Sequence, residues 1–424
     1  MNIRRLLLAE KGPMAAYLVD VYETMGVEVV AAFDEASQDA PHLDRASFAA
    51  YIPSDAVPEA LLDASNDAGC DGLHPGLGPL AEDPRFAHAA ARANLLFVGS
   101  PAEQLAVLAD RWTTRRVAVK SGVPVVPGTA LVERLDEVDA TCADARSRLG
   151  GALWIKDAGG HGAQRVAEGG PPERLAALVS ARVADGQRVW IEREVRQARH
   201  LVVTVVGDSG GGALGLGVRE RARRRDGRLT IDQFPASIGD GLARNLVEAA
   251  EVLAKKRGFR GVGSVGFLVD PTGGAWCLGL RPRLQLGTLL NDAVQEIRLP
   301  EVQLRVACGD RIGWDRGAIT GRQDVALGFR LRADAPGVIT RWSPPEGATV
   351  HTVAAEGCTA SGLFAVLVVR APTRQACVVR ATAALRAFAI EGVSTNLEAH
   401  RVTLGDEGFW AGSVPDPDSA GPSD

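Results

Sequence analysis

The sequence predicts an α/β protein built from more than one domain, and three observations predict it. An apolar segment at 2–9 (NIRRLLLA), a helix-length stretch at 14–25 and a second apolar segment at 27–33 form a β-α-β opening. A hydrophobic strand at 152–156 (ALWIK) runs straight into the glycine-rich loop 157–162 (DAGGHG), where backbone N–H groups and the Lys156 ammonium can surround a polyphosphate. Beyond Val195, short apolar strands alternate with helix-length segments and give way to a β-rich part. At about 100–200 residues per domain, 424 residues with 46% hydrophobic content suffice for roughly two to four cores.

Taken in order, the opening lacks G-x-G-x-x-G, which removes the dinucleotide fingerprint and disfavours a nicotinamide enzyme. Residues 70–79 (CDGLHPGLGP) hold three glycines and two prolines and make a fixed loop, with His74 ordering the turn rather than performing chemistry. A helix at 84–94, a strand at 95–98 and one long helix at 102–121 follow. The proline-stiffened segment 122–128 (GVPVVPG) then runs extended. The first domain is placed at 1–124. A small lid unit spans 125–195, with a helix at 135–149, the strand and loop around Lys156, a helix at 172–184 and a strand at 187–192. A third region, 196–411, carries strands at 201–206, 212–218, 263–269, 276–280, 325–331 and 363–369, and helices at 242–257, 288–308 and 374–390. The last residues, 412–424 (GSVPDPDSAGPSD), have the composition of a disordered tail.

Charge and cysteine usage narrow the function. Basic and acidic side chains number 47 and 52, a net −5, which excludes a general nucleic-acid binder and a polybasic membrane protein. No apolar run approaches the roughly 20 residues that span a bilayer, so a cytoplasmic protein is expected. Six scattered cysteines show neither a disulfide framework nor zinc spacing. Only five of the 47 basic residues are lysines, which singles out Lys156. The run from Arg219 to Arg228 (RERARRRDGR) has six arginines against two acids and suits an acidic partner, although Asp226-Gly227 also reads as a solvated hairpin tip.

Several segments, in their order and spacing, carry a resemblance: Leu73-His-Pro-Gly-Leu-Gly, Gly122-Val-Pro-Val-Val-Pro-Gly, Ile155-Lys with its loop, Trp190-Ile-Glu-Arg, Arg199-His200, Gly258-Phe-Arg-Gly-Val-Gly, Arg281-Pro-Arg-Leu-Gln and Glu391-Gly-Val-Ser-Thr-Asn. From Ile3 to about Leu404 the chain resembles biotin carboxylase, the ATP-grasp component of biotin-dependent acyl-CoA carboxylases. The resemblance implies a Rossmann-like N-terminal domain, a small ATP-grasp lid and a C-terminal α+β domain. It also implies ATP or ADP as ligand. Arg111 stands where the family has a phosphate-binding Lys, and Lys156 matches a second one. Gly159, Gly160 and Gly162 form a shortened phosphate loop, Glu192 and Val195 lie in the hinge that reads adenine, and His200 matches a nearby histidine.

The resemblance breaks at the chemistry. The family holds Mg²⁺ with two glutamates, since a hard divalent cation wants anionic oxygens. Those positions are Gly266 and Gly279 here, the accompanying Asn is Arg281, and neither Asp270 nor Asp292 stands at a matching place. The general base is replaced by Gly287. Arg283 and Gln285 remain as residual family positions, the His and Lys of an R-R-H-Q-K stretch are Gly227 and Leu229, and an Arg expected to face biotin is His351. No M-K-M segment is present, so no covalently bound biotin is expected and biotin would arrive on another chain. The expected function is a catalytically inactive biotin-carboxylase-like protein: a structural or regulatory subunit of a biotin-dependent carboxylase complex, paired with itself, an active biotin carboxylase or another carboxylase subunit, without magnesium. Two alternatives stay open, an ATP-dependent carboxylase or carboxylate ligase with a rearranged metal site, and a nucleotide sensor using Arg111, Lys156, Glu192 and Arg283.

Overall fold

The computed structural model describes residues 3–53, 57–159, 162–225, 228–313 and 324–411. The tail expected at 412–424 lies outside them, as do Gly160 and His161 of the glycine loop and the Asp226-Gly227 tip.

β1 (Arg5–Leu8) reads RLLL, and all three leucines are buried. A parallel strand covered by helices on both faces needs such a run rather than an alternation. It lies at the centre of a five-stranded parallel sheet with β2 (Glu28–Phe33), β3 (Phe48–Tyr51), β4 (Gly72–His74) and β5 (Leu96–Phe97), in the order β3-β2-β1-β4-β5. Helices α1 (Ala15–Thr24), α2 (Pro58–Asp67) and α3 (Pro84–Arg92) connect its strands. His74 Nδ1 accepts from the Gly76 N–H at 3.0 Å, which fixes the turn after β4.

The single helix expected at 102–121 is two: α4 (Ala102–Ala109) and α5 (Arg111–Lys120). Asp110 leaves helical geometry at φ −82°, ψ 98°, and its carboxylate accepts from Thr113 N at 2.7 Å as the cap of α5. That break puts Arg111 and Arg115 on the first turns of a separate helix, turned toward the cleft described below. Residues 122–128 form no strand of their own. They bridge Val125 to Cys277 and Gly128 to Glu192, tying the small sheet to the large one. The helix expected at 135–149 is helical throughout but changes pitch, with a 3-10 turn at Leu135–Glu137, α6 (Val138–Asp144) and a π turn at Ala145–Leu149.

β6 (Leu153–Asp157), β7 (Ala163–Val166) and β8 (Val189–Arg193) form a three-stranded antiparallel sheet, with α7 (Pro172–Ala184) burying Leu175 and Val179 in its core. The largest layer is an antiparallel eight-stranded sheet. Its strands are β9 (Arg199–Gly207), β10 (Ala213–Arg225), β11 (Arg228–Phe234), β12 (Gly261–Val269), β13 (Ala275–Arg281), β14 (Val325–Arg332), β17 (Thr349–Thr352) and β19 (Leu363–Ala371). Two ribbons, β15 (Gly337–Val338) with β18 (Thr359–Ala360) and β16 (Arg341–Ser343) with β20 (Ala389–Glu391), lie alongside. The strand order β13-β12-β9-β10-β11-β14-β19-β17 puts β9 between the Gly266 and Gly279 strands and the arginine-rich β10.

α8 (Asp240–Lys256) covers one face of this sheet through Leu246, Ala250 and Leu253. The segment expected as one helix at 288–308 divides into α9 (Thr288–Gln295) and α10 (Leu299–Ala307), because Glu296 takes φ +53° and Pro300 opens the second helix. No described helix is long and apolar enough to cross a membrane.

Candidate nucleotide pocket and the cationic cavity beside it

Two cavities meet at Arg111, Thr114 and Gly279, between α5, the small sheet and one face of the large sheet. The outer one gathers Arg111, Lys156, Glu192 and Val195, four of the residues expected at a nucleotide, while His200 lines the inner one. Lys156 reaches into the outer one from β6 with its Nζ 5.1 Å from the Trp154 ring centre, and no hydrogen-bond or ion-pair partner is found for that ammonium among the described residues. Desolvation pushes the Lys156 pKa down and Arg111 adds to the effect, while Glu192 opposes it. Such an ammonium is poised to gain from an arriving anion.

Glu192 is not a free carboxylate for the ligand. It is buried, and its Oε1 accepts both Arg115 Nη1 and Trp190 Nε1 at 2.8 Å. Its role is to hold the pocket wall, a function of Arg115 and Trp190 that the sequence reading missed. Val195 packs with Val126 and Leu268 into an apolar side suited to a planar base. Gly159 is exposed at the loop, Gly162 has φ +108°, and Gly160 is not described. The Arg111 N–H donates to Ala158 O at 2.9 Å, which anchors the loop to α5.

The inner cavity, about 60 Å³, is lined by Gly266 and Gly279, the positions where the resemblance places the metal ligands. Gly266 pairs with Gly279 across β12 and β13. A Cβ on Gly266 would meet only ordinary contacts, 3.5 Å from His200 Nε2. Gly279 differs, since its φ of +125° is a backbone conformation that side-chain-bearing residues rarely adopt. At Gly287 a Cβ would fall inside the guanidinium of Arg219. Arg219 is fully buried, donates to Asp232 Oδ1 at 2.5 Å and reaches Gln285 Oε1 at 3.1 Å. The place of the family's base is filled by a cation.

Magnesium does not fit these residues. Among the described residues no three His, Cys, Asp or Glu side chains gather as a ligand set, and the described lining of the inner cavity contains no carboxylate. Glu82, close by, is already engaged with Arg283 Nε at 2.7 Å, and Arg281 lies 3.7 Å from the same carboxylate. Asp270 caps its own turn through Thr272 N and Gly274 N. Asp292 accepts from Tyr17 at 2.8 Å, and burial pushes its carboxyl up to about 8, so it is largely neutral at pH 7.

One expectation needs correction. Arg219 and Arg221 do not form an acidic-partner surface, because both are buried on strand β10 and face the inner cavity side of the sheet. Of that run's other arginines, Arg228 is exposed and the side chains of Arg223 to Arg225 are outside the described set. His351 offers no cation to a ligand anion either: it sits edge-on to Tyr17, and burial pushes it down to about 4, leaving it neutral at pH 7. The signal for the buried arginines was in the sequence, since positions 219 and 221 share one face of any strand.

Fold and pocket define an ATP-grasp protein of biotin carboxylase architecture. Residues 2–105 match the family model "Biotin carboxylase, N-terminal domain" and residues 110–314 match "Carbamoyl-phosphate synthase L chain, ATP binding domain". The chain is 28% identical over 436 residues to biotin carboxylase 2 of Bacillus subtilis, covering 97% of each, and 27% identical to the biotin-dependent acyl-coenzyme A carboxylase alpha3 subunit of Mycobacterium leprae, covering 96% of this chain and 71% of that one. Among solved structures it resembles the Campylobacter jejuni biotin carboxylase complex with β,γ-ATP, with a TM-score of 0.90, 25% identity and 98% coverage of each chain. The biotin carboxylase domain dimer of Hydrogenobacter thermophilus 2-oxoglutarate carboxylase shares the fold, with a TM-score of 0.88 at 22% identity and 97% and 96% coverage. The chain belongs to the biotin carboxylase family.

Proposed function

We propose that this chain is a biotin carboxylase family member without carboxylase turnover, which keeps a pocket for ATP or ADP and serves a biotin-dependent carboxylase complex as a regulatory or structural subunit. The observation that carries the reading is the combination at Gly279 and Gly287. One has a glycine-specific backbone and the other lies against a buried guanidinium, so neither carboxylate can be regained by a side-chain change alone. Metal and base contributions are each worth several kcal/mol of barrier, and about 1.4 kcal/mol is tenfold in rate. Without either, the residues left around the pocket bind and orient a nucleotide: Lys156 and Arg111 face its phosphates, and the Val126, Val195 and Leu268 side faces its base.

A working enzyme with a rearranged metal site is the second reading. The neighbouring carboxylates argue against it, since Glu82, Asp232 and Glu192 are each held by arginine. The relatives work as subunits or domains of biotin-dependent carboxylases, as their names state, and this supports pairing with itself or with an active copy. The test has two arms. The purified chain, given ATP, Mg²⁺, bicarbonate and free biotin, is expected to release no ADP above background. Tagged chain expressed in its own cells is expected to recover a carboxylase component. Sustained bicarbonate-stimulated ADP release would defeat the reading, and recovery of the chain alone would defeat the subunit role.

A further inference from the structure

The large sheet's inner face has an uneven charge balance. Among the described side chains of β10, β11 and β14 it carries Arg219, Arg221 and Arg330 with one carboxylate, Asp232, between them. Arg219 and Arg330 take the two oxygens of that carboxylate, at 2.5 and 3.1 Å. Arg221 is left over. It is buried, and neither its Nε nor its Nη1 has a hydrogen-bond partner. A buried cation in this state is costly unless something pairs with it. Burial and Arg219 push it down to about 9, so it keeps its charge at neutral pH.

Arg221 lines the inner cavity together with Arg111, Arg281 and His200, and Ser264, Thr114 and Gln285 add polar groups. Glycine at 266 and 279 keeps the space between these side chains open. At about 60 Å³ the cavity admits a handful of heavy atoms rather than a ring system, given that one water needs about 10–15 Å³ on the same measure. Planar guanidinium forks suit the oxygens of a tetrahedral oxyanion, which can accept from several directions at once.

We infer that the inner cavity is a metal-independent site for a phosphoryl group, held by Arg221 with Arg111 and Arg281 in the space where the family carries its metal. The group is either free phosphate or the terminal phosphate of a nucleotide whose base lies in the adjoining pocket, with Arg111 lining both cavities. This deepens the proposed function and rests on it only in assuming that no metal competes for the space.

The test uses the full chain in EDTA, with thermal unfolding and calorimetry, against inorganic phosphate, ADP and adenosine. Phosphate is expected to raise the melting temperature and bind without metal. Arg221→Met is expected to melt higher than wild type in anion-free buffer, because it removes an unpaired buried charge, and to lose at least tenfold in phosphate affinity. A merely structural arginine would give a destabilised variant instead. Arg111→Gln, on the half-exposed rim, gives a second reading that does not depend on the buried site folding. Competition separates the sources: phosphate displaced by ADP but not by adenosine assigns the site to the nucleotide's terminal phosphate, whereas simultaneous binding assigns it to free phosphate. Undiminished phosphate affinity in Arg221→Met, or phosphate binding only with Mg²⁺ present, would overturn the inference. Magnesium-dependent ADP release would defeat the functional reading alone and leaves the Arg221 comparison to be judged on its own result.

Discussion

The two cavities that meet at Arg111 share one strand scaffold and differ in the chemistry that lines them. On the outer side Lys156, the apolar wall of Val126, Val195 and Leu268 and the buried Glu192 bracket line one pocket. On the inner side the described lining holds no carboxylate, and Arg111, Arg221 and Arg281 surround an open space of about 60 Å³. The strand scaffold is the same for both, since Gly266 and Gly279 still pair across β12 and β13 and β9 still runs between β12 and β10. An antiparallel sheet holds its backbone register through hydrogen bonds that do not depend on the outward side chains, so chemistry can be reversed on one face while the fold persists.

The inner side's dependence on a single anion gives the largest expected effect. Asp232→Ala leaves Arg219 and Arg330 buried beside Arg221 with no counter-charge and is expected to destabilise by about 3–5 kcal/mol in denaturant unfolding. A loss below about 1 kcal/mol would mean that the face is wetter than its burial implies.

On the outer side, Arg115→Ala breaks the bond to Glu192 and leaves that buried carboxylate with Trp190 alone. A cost of about 1.5–3 kcal/mol is expected, with weaker ATP binding in calorimetry. Unchanged ATP affinity would remove the bracket from the binding site.

Gly279→Glu sharpens the contrast between the two lost ligands. Its φ of +125° adds strain of about 1–3 kcal/mol, whereas at Gly266 an added Cβ meets only ordinary van der Waals contacts. Paired melting curves should separate the two variants by several degrees, and neither is expected to gain magnesium-stimulated ADP release. Equal melting would show that the backbone at 279 is not committed to glycine.

The smallest effect is a pH dependence. His351 has a folded value near 4 against about 6.5 in the unfolded chain, from burial against Tyr17. Between those values the unfolded state holds the extra proton, so stability is full above about pH 6.5 and falls as pH drops toward 4. His351→Phe should flatten this limb by one proton in a pH series of unfolding curves. An unaltered slope would place the titration elsewhere.

Much of this was legible in the chain. The order of glycine and proline segments carried the fold, and the glycines at 266, 279 and 287, where the resemblance expects carboxylates, are visible directly as letters. The burial of Arg219 and Arg221 was harder to read, because a run of six arginines looks solvated until β10 is seen between β9 and β11. Glu192 likewise read as a ligand-facing carboxylate, since its partner Arg115 is 77 residues away and comes close only through the break at Asp110. Local pattern specifies which residues share a strand face, but not which neighbour covers that face.

The most direct test of the central claim, a kept nucleotide pocket beside an emptied catalytic one, is calorimetric titration of the full chain with ATP, with and without Mg²⁺, followed by an ADP assay on the same sample. The account predicts binding of similar strength under both conditions and no ADP. Binding that requires Mg²⁺ and yields ADP would contradict it.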